Sequence, residues 1–217
     1  MALAIFDLDN TLLSGDSDFE WGQFLVKKKL VDKDEYEKAN IYFYERYKDG
    51  SLDIVEFSRF SFQPLSIRSM EELDALHNEY MEEVILPLIS DKARAKVQEH
   101  QQKGDTSLVI TATNSFVTRP IVLEFGITNL LATDPKIVNG RYTTDVEGIP
   151  CFQGGKVTRL NEWLEKNKQS MKDSVFYSDS HNDLSLLEIV DNPIVVDPDE
   201  ILADIAKERD WPVISLR

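Results

Sequence analysis

The chain has 217 residues, 42% of them hydrophobic and 29% charged, with 39 acidic against 24 basic side chains and a formal net charge of −15. So acidic a chain lacks the clustered Lys and Arg that grip a nucleic-acid backbone or an anionic membrane surface, so neither is expected as a partner. The length allows one domain with a sizeable insertion, and the single cysteine, Cys151, rules out an internal disulfide.

Ala2 to Phe6 is a short apolar run without helical period, as in a buried strand, and it leads into Asp7 and Asp9 at alternate positions. Asp7 then sits at the strand's carboxyl end, where open α/β sheets place their ligands. Carboxylates there call for a bound cation or a chemical role. From Ser14 to about Leu88 the pattern turns helical. Asp16-Ser17-Asp18 caps a helix carrying Phe19, Trp21, Phe24 and Leu25. Lys33 to Asp49 continues in helical style and stops at Gly50, and Ile54 to Phe62 is a third segment broken by Pro64. Ser69-Met70-Glu71-Glu72 has the form of a capping box, followed by Leu73, Leu76, Tyr80 and Val84 at three- and four-residue steps. These helices read as an inserted domain, residues 14–88, packed over the strand end that carries Asp7, with 1–13 and 89–217 as the main domain. Its aromatics (Trp21, Phe24, Tyr36, Tyr42, Phe43, Tyr44, Tyr47, Phe57, Phe60 and Phe62) read mostly as packing, with one or two left to face the cleft and stack on a planar substrate.

Asp91 to Lys103 is a helix ended by Gly104, and Thr106 to Thr111 is a strand of the same shape as the first. Phe116 to Glu124 is a helix with Pro120 tolerated in its first turn, Leu130 to Thr133 a short strand, and Lys136 to Phe152 a hairpin around Asn139-Gly140. A helix after Lys156 carries Val157, Leu160, Trp163 and Leu164 on one face. Ser174 to Tyr177 is a further strand, leading into Ser178-Asp179-Ser180-His181-Asn182-Asp183. Ile194 to Val196, a helix to Arg209 and a short strand at Val213 to Ser215 complete the chain. Strands alternating with helices predict an α/β fold with a parallel, helix-covered sheet. No apolar run approaches the roughly 18 residues of a membrane span. The N-terminal run has no basic flank, so a signal peptide is not expected and a soluble cytoplasmic protein is.

Four stretches are polar where a strand ends or a helix begins: Asp7 with Asp9, Thr111, Lys156 in Gly154-Gly155-Lys156-Val157, and Asp179 with Asp183. A hydroxyl at Thr111, beside backbone N–H groups opening the next helix, suits a phosphate oxygen. An oxygen-rich group of acids suits a hard dication such as Mg²⁺, and Lys156 offsets the carboxylates, which would otherwise repel one another and protonate. His77 and His100 lie on predicted helices without matching partners, His181 reads as a loop residue and Cys151 as a buried or loop thiol.

The D-x-D-x-T of Asp7, Asp9 and Thr11, followed in order by Thr111, Lys156 and the Asp179/Asp183 pair, resembles motifs I to IV of the haloacid dehalogenase (HAD) superfamily. Neither a GxxxxGK[ST] loop nor a GxGxxG fingerprint is present to suggest a nucleotide fold instead. The resemblance implies a Rossmannoid parallel sheet flanked by helices, with a helical C1 cap inserted after the first strand. It implies phosphomonoester hydrolysis, with Asp7 as nucleophile and Asp9 as general acid and base. One Mg²⁺ would be held by Asp7, Asp179 and the Asp9 backbone carbonyl, while Asp183, Asn182 and Ala112 support metal and phosphate. A cap placed between motifs I and II resembles the branch that includes phosphoserine phosphatases. Those carry a Ser-Gly-Gly-Phe type motif II, whereas this chain reads Thr111-Ala112-Thr113-Asn114-Ser115-Phe116. With GDSDFEW and IPCFQGGK, that stretch looks more like the subfamily IB group that includes bacterial histidinol-phosphatases. The implied substrate is a small phosphorylated metabolite carrying an amino group, histidinol phosphate ahead of phosphoserine. Asp16 or Asp18 would meet the amine, although Asp16 also reads as a plain helix cap. Glu20, Trp21 or another cap aromatic would meet the ring, and Arg59 lies near where phosphoserine phosphatases place an arginine for the carboxylate. A catalytically silent fold used for binding is the reading that the retained acids and Lys156 argue against.

Overall fold

The computed structural model describes residues 2–217. Seven strands form one sheet: β1 (Leu3–Phe6), β2 (Thr106–Asn114), β3 (Asn129–Val138), β4 (Arg141–Glu147), β5 (Val175–Ser178), β6 (Asn192–Val196) and β7 (Val213–Ile214), in the order β4-β3-β2-β1-β5-β6-β7. All neighbours are parallel except β3 and β4. β1 is central, and its four residues are each 1% exposed or less, which is why it reads as unbroken apolar sequence. Alternate side chains serve two different cores. Ala4, Phe6, Val109 and Tyr177 pack on one face, while Leu3, Ile5, Leu108 and Phe176 pack on the other.

From β1 the chain builds outward through β2, β3 and β4, then crosses to β5 on the other side of β1. The winding direction therefore reverses beside the carboxyl end of β1, the place where such sheets open a crevice. Asp7 lies there, its N–H bonded to the Tyr177 carbonyl at 2.9 Å.

Between β1 and β2 run α1 (Ser17–Lys27), α2 (Lys33–Lys48), α3 (Ile54–Ser66) and α4 (Met70–Tyr80), the last passing through a π turn at Met81–Ile85 into α5 (Leu86–Leu88). Each of the first four starts on a side-chain cap, Asp16, Asp32, Asp53 and Ser69, and Ser69 with Glu72 closes a full capping box. The excursion leaves and returns at one point, where Leu13 bridges Ile89 and Ser14 N–H bonds the Leu88 carbonyl at 2.9 Å. Trp21, Phe24, Phe62 and Tyr80 tie these helices into the same core as Phe6. The remaining helices are α6 (Asp91–Lys103), α7 (Ser115–Glu124), α8 (Gly154–Asn167), α9 (Leu184–Leu187) and α10 (Glu200–Glu208), with a short 3-10 turn at His181–Asp183. Among the described residues no helix is long and apolar enough to cross a membrane.

Several local expectations need correction. Pro64 does not break the third helix, which runs on to Ser66. It lies in the last turn, where it deletes one backbone donor, and its carbonyl takes the Arg68 guanidinium at 2.6 Å. Pro120 falls in the second turn of α7, not the first, because Asn114 caps the helix through Val117 N–H at 3.0 Å and starts it at Ser115. β2 continues past Thr111 to Asn114, and β3 is longer than Leu130 to Thr133 because it also feeds the hairpin. That hairpin turns on Asn139 (φ 51°) and Gly140 (φ 75°), both left-handed as a tight primed turn requires. His100 does have partners: Nδ1 faces Asp105 and Nε2 the Tyr177 hydroxyl, each at 2.9 Å. His77 Nε2 meets the Val117 carbonyl at 2.8 Å, so both rings are structural. Cys151 is fully buried, and burial pushes its thiol up to about 12.

Candidate active site

The sheet's switch point gathers the acids. Lys156 Nζ lies 2.8 Å from Asp7 Oδ1 and 2.8 Å from Asp183 Oδ2, joining the end of β1 to the turn after β5. Asp183 also accepts the Ser178 hydroxyl at 2.7 Å, and Asp179 accepts the Thr11 hydroxyl at 3.0 Å. Lys156 is delivered by the start of α8, where Gln153 adopts φ 46° and the chain doubles back on Pro150. Only glycine fits at 155, because a Cβ there would stand 2.1 Å from the Pro150 carbonyl oxygen. Asp9 is held from both sides: Ser17 N–H donates to Oδ1 at 2.6 Å and the Thr113 hydroxyl to Oδ2 at 2.8 Å. Thr111 Oγ1 stands at 3.5 Å from the same Oδ2 and accepts Thr113 N–H at 3.2 Å.

The charge balance is lopsided. Burial pushes Asp7 up to about 7, with Lys156 pulling it down and Asp183 adding to the rise. Burial raises Asp9 to about 6, and raises Asp179 well above the usual carboxylate range with help from Asp7 and Asp183. Burial works against the Lys156 charge as well, but Asp183 and Asp7 outweigh it and keep the ammonium firmly protonated. One lysine, in contact with Asp7 and Asp183 but not Asp179, thus stands against three carboxylates, an all-oxygen set short of positive charge, which fits a hard dication. Among the described residues no three His, Cys, Asp or Glu side chains form a group that could by themselves hold a metal ion. The set expected from sequence, Asp7, Asp179 and the Asp9 backbone carbonyl, has only two side-chain carboxylates, and Asp179 does not line the cavity above them.

Over these groups lies a cavity of about 140 Å³, room for a small metabolite rather than a polymer. Asp7, Asp9, Thr111, Ala112, Lys156, Asn182 and Asp183 line its floor, while α1, α2 and α3 supply the opposite wall. Asp16 lies on the rim and caps α1 through Asp18 N–H and Phe19 N–H, both at 2.9 Å, so its two readings coexist. Asp18 lines the cavity from inside, accepting the Ser61 hydroxyl at 2.8 Å and the Asn114 amide at 3.2 Å, and burial raises it to about 6. The wall is tied to the floor. The Tyr47 hydroxyl donates to Ser180 Oγ at 3.1 Å, the Asn182 amide donates to the Tyr47 carbonyl at 3.1 Å, and Gln153 bonds Asn182 Oδ1 at 3.0 Å.

Three expected substrate contacts are not there. Trp21 is 1% exposed and packs against Phe24, His77, Tyr80 and Phe116, so its ring belongs to the core. Glu20 does not line the cavity, although Asp18 and Phe19 before it on α1 do. Arg59 follows Phe57 by two positions and points to solvent, while Ser58, Ser61 and Phe62 form the buried face of α3. The aromatic contribution is larger than one or two side chains: Phe43, Tyr44, Tyr47 and Phe57 all line the cavity, joined by Phe19 and Phe152. Asn40, Thr113 and Gln153 were not singled out by sequence. Thr113 had a readable signal, a second hydroxyl two residues beyond Thr111 in the same strand. His181 turns away, its Nδ1 2.8 Å from Asp199 at the head of α10.

Comparison with known proteins agrees with this architecture. Residues 4–188 match a family model described as haloacid dehalogenase-like hydrolase. A histidinol-phosphatase of Neisseria meningitidis is 47% identical over 219 residues, covering 99% of this chain and 99% of its own length. A phosphoserine phosphatase of Mycobacterium tuberculosis is 30% identical, covering 100% of this chain and 71% of its own length. A crystal structure of a protein of unknown function from Bordetella pertussis superposes with a TM-score of 0.93 at 44% identity, covering 100% of this chain and 99% of that one. With its fold, its acid-lined crevice and a family match over most of its length, the chain belongs to the haloacid dehalogenase-like hydrolases.

Proposed function

We propose that the chain is a Mg²⁺-dependent phosphomonoester hydrolase acting on histidinol phosphate, a cytoplasmic enzyme of histidine biosynthesis. In this reading residues 14–88 form the helical C1 cap and residues 1–13 with 89–217 the catalytic core. The relative named histidinol-phosphatase, similar along nearly its whole length, supports the substrate. The observation that carries the choice is the cavity lining. Among the described residues it contains Asp16, Asp18 and several aromatic rings, and Lys156 is its only cation. Such a wall favours an ammonium and a flat ring and gives nothing to a carboxylate, which argues against phosphoserine.

An Asp7 carboxylate oxygen attacks phosphorus, the bond from phosphorus to the substrate oxygen breaks, and Asp9 gives its proton to the departing alkoxide. Water then attacks the phosphorus of the aspartyl-phosphate, Asp9 takes a proton from it, and phosphate leaves with the Asp7 carboxylate restored. Asp9 is held for this by Ser17 N–H and the Thr113 hydroxyl, two fixed donors that set its orientation. The Thr111 hydroxyl and Ala112 N–H take phosphate oxygens, Asn182, whose amide donates to the Tyr47 carbonyl, ties the wall down beside them, and Lys156 offsets the charge of Asp7 and Asp183. Asp7, Asp179 and the Asp9 carbonyl would hold Mg²⁺, which when bound supplies positive charge to the phosphate oxygens.

The test is phosphate release from histidinol phosphate and from phosphoserine, side by side, with Mg²⁺ and with EDTA. A strong preference for histidinol phosphate, abolished by EDTA and by Asp7→Asn, is expected. Equal rates on both substrates would discard the substrate, and metal-independent turnover would discard the mechanism.

A further inference from the structure

Gln153 occupies the first central position of a tight turn, Phe152 to Gly155, closed by the Gly155 N–H on the Phe152 carbonyl at 2.8 Å. Its backbone, φ 46° and ψ −123°, is that of a type II′ turn, where glycine is the usual residue because a Cβ is crowded there. This is not the ordinary left-handed basin, which Lys168 occupies at φ 52° and ψ 38°. Glycine stands one position later, at 154, where φ is not left-handed and a Cβ would meet nothing within 4 Å. The chain thus holds a long side chain at the place in the turn that calls for none. Such a conformation costs stability and persists where its surroundings over-determine it, above all beside functional sites.

The side-chain amide supplies that constraint. Gln153 Nε2 donates to Asn182 Oδ1 at 3.0 Å and to the Gly50 carbonyl at 3.4 Å. Gly50 follows α2 in the cavity wall, Asn182 lies on the floor after β5, and Gln153 itself precedes Lys156 by three residues. The contact also orients Asn182: with Oδ1 accepting from Gln153, Nδ2 is turned to donate to the Tyr47 carbonyl, 3.1 Å away. One amide therefore joins wall and floor through three segments distant in sequence. Gln153 does not line the cavity, so it acts on a bound molecule only through what it holds in place.

We propose that Gln153 is a positioning residue that sets the spacing between wall and floor, so that a substrate reaching from Asp7 to the wall meets both at once. This rests on the histidinol phosphate reading, in which the amine and ring lie against the wall and the phosphate at Asp7. Small errors of placement are expensive for a molecule held at two ends, and harmless for one held only at the floor.

The experiment compares Gln153→Gly and Gln153→Ala with the unaltered enzyme on histidinol phosphate and on acetyl phosphate, which carries neither amine nor ring. Both variants lose the amide, but only glycine suits the turn. For histidinol phosphate kcat/KM should fall about tenfold in both, carried mainly by KM, as for the loss of one good hydrogen bond. For acetyl phosphate it should change less than about twofold. Gln153→Gly should melt above Gln153→Ala, since activity follows the amide and stability the backbone. Equal losses on both substrates would overturn the proposal, because Gln153 would then act through Lys156. A reversed order of melting would also overturn it, since no strain would then be held at this turn. If the unaltered enzyme prefers histidinol phosphate and both variants keep that preference, the role of Gln153 falls and the substrate reading stands. If the unaltered enzyme shows no such preference, both fall together.

Discussion

Replacing Lys156 by Met isolates the electrostatics of the crevice. The change keeps an unbranched stem in the same space and removes the ammonium that lies 2.8 Å from Asp7 and 2.7 Å from Asp183, all three groups being almost fully buried. Taking one partner from a buried pair costs about 3–5 kcal/mol while the orphan stays charged. Here the orphan has a way out, because Asp7 already titrates at about 7 with Lys156 pulling it down. Without the lysine its folded-state pKa moves higher still. An acid whose pKa is raised on folding binds its proton more tightly in the native state, so stability falls as pH rises from the unfolded pKa to the folded one. In the unaltered protein that fall ends near pH 7, and in Lys156→Met it continues above it. At about 1.4 kcal/mol per unit, the stability deficit of the variant should widen by about 2 kcal/mol between pH 6 and pH 8.5. For a chain of this size that is about 4–8 °C of melting temperature. The assay is thermal unfolding followed by circular dichroism in EDTA at both pH values. A deficit that is constant, or that shrinks as pH rises, would refute the argument.

Three further outcomes rest on the same geometry. Added Mg²⁺ should raise the melting temperature more at pH 8 than at pH 6, since Asp7 and Asp179 must lose protons that burial helps them keep; equal shifts at the two pH values would count against carboxylate ligation. Gly155→Ala forces a Cβ against the Pro150 carbonyl and must displace the start of α8, so it should cost about 1–3 kcal/mol and more than tenfold in turnover. Gly154→Ala meets nothing within 4 Å and should behave as unaltered protein in both assays.

What sequence reveals here follows from what constrains each residue. Leu3–Phe6 are buried on both faces, so their apolar run has one structural meaning, and the residues after it inherit a defined place at the sheet's edge. Asp7, Asp9, Thr111, Lys156 and Asp183 come together in the structure because each lies in the last residues of a strand, just after one, or at the opening of a helix around the same switch point. The opposite wall has no such anchor. Phe19 and Trp21 are neighbours in type and position, yet one lines the cavity and the other is core, a difference of about 200° of helix rotation. That rotation is set by how α1 packs against Tyr80 and Phe116, residues distant in sequence. Arg59 stands two residues beyond the cavity-lining Phe57 and is exposed on the outer face of α3, a phase that its own sequence neighbourhood does not report. Gln153 has no motif at all; it stands out only once its backbone angles and its amide contacts are seen together.

The two ends of the sheet bear on how the protein behaves when crowded. Open strands invite pairing with other chains, and both rims of this sheet are blunted. On one side β7 has only two residues, Val213–Ile214, directly after Pro212, which has no N–H to offer. On the other, β4 carries Arg141, Asp145 and Glu147, and its register against β3 shifts between Pro135 and Ile137. Neither rim is a flat apolar template for cross-strand growth. Accumulation at high concentration is therefore opposed by backbone geometry as well as by the −15 net charge, and self-association has to use side-chain surfaces instead of extending the sheet.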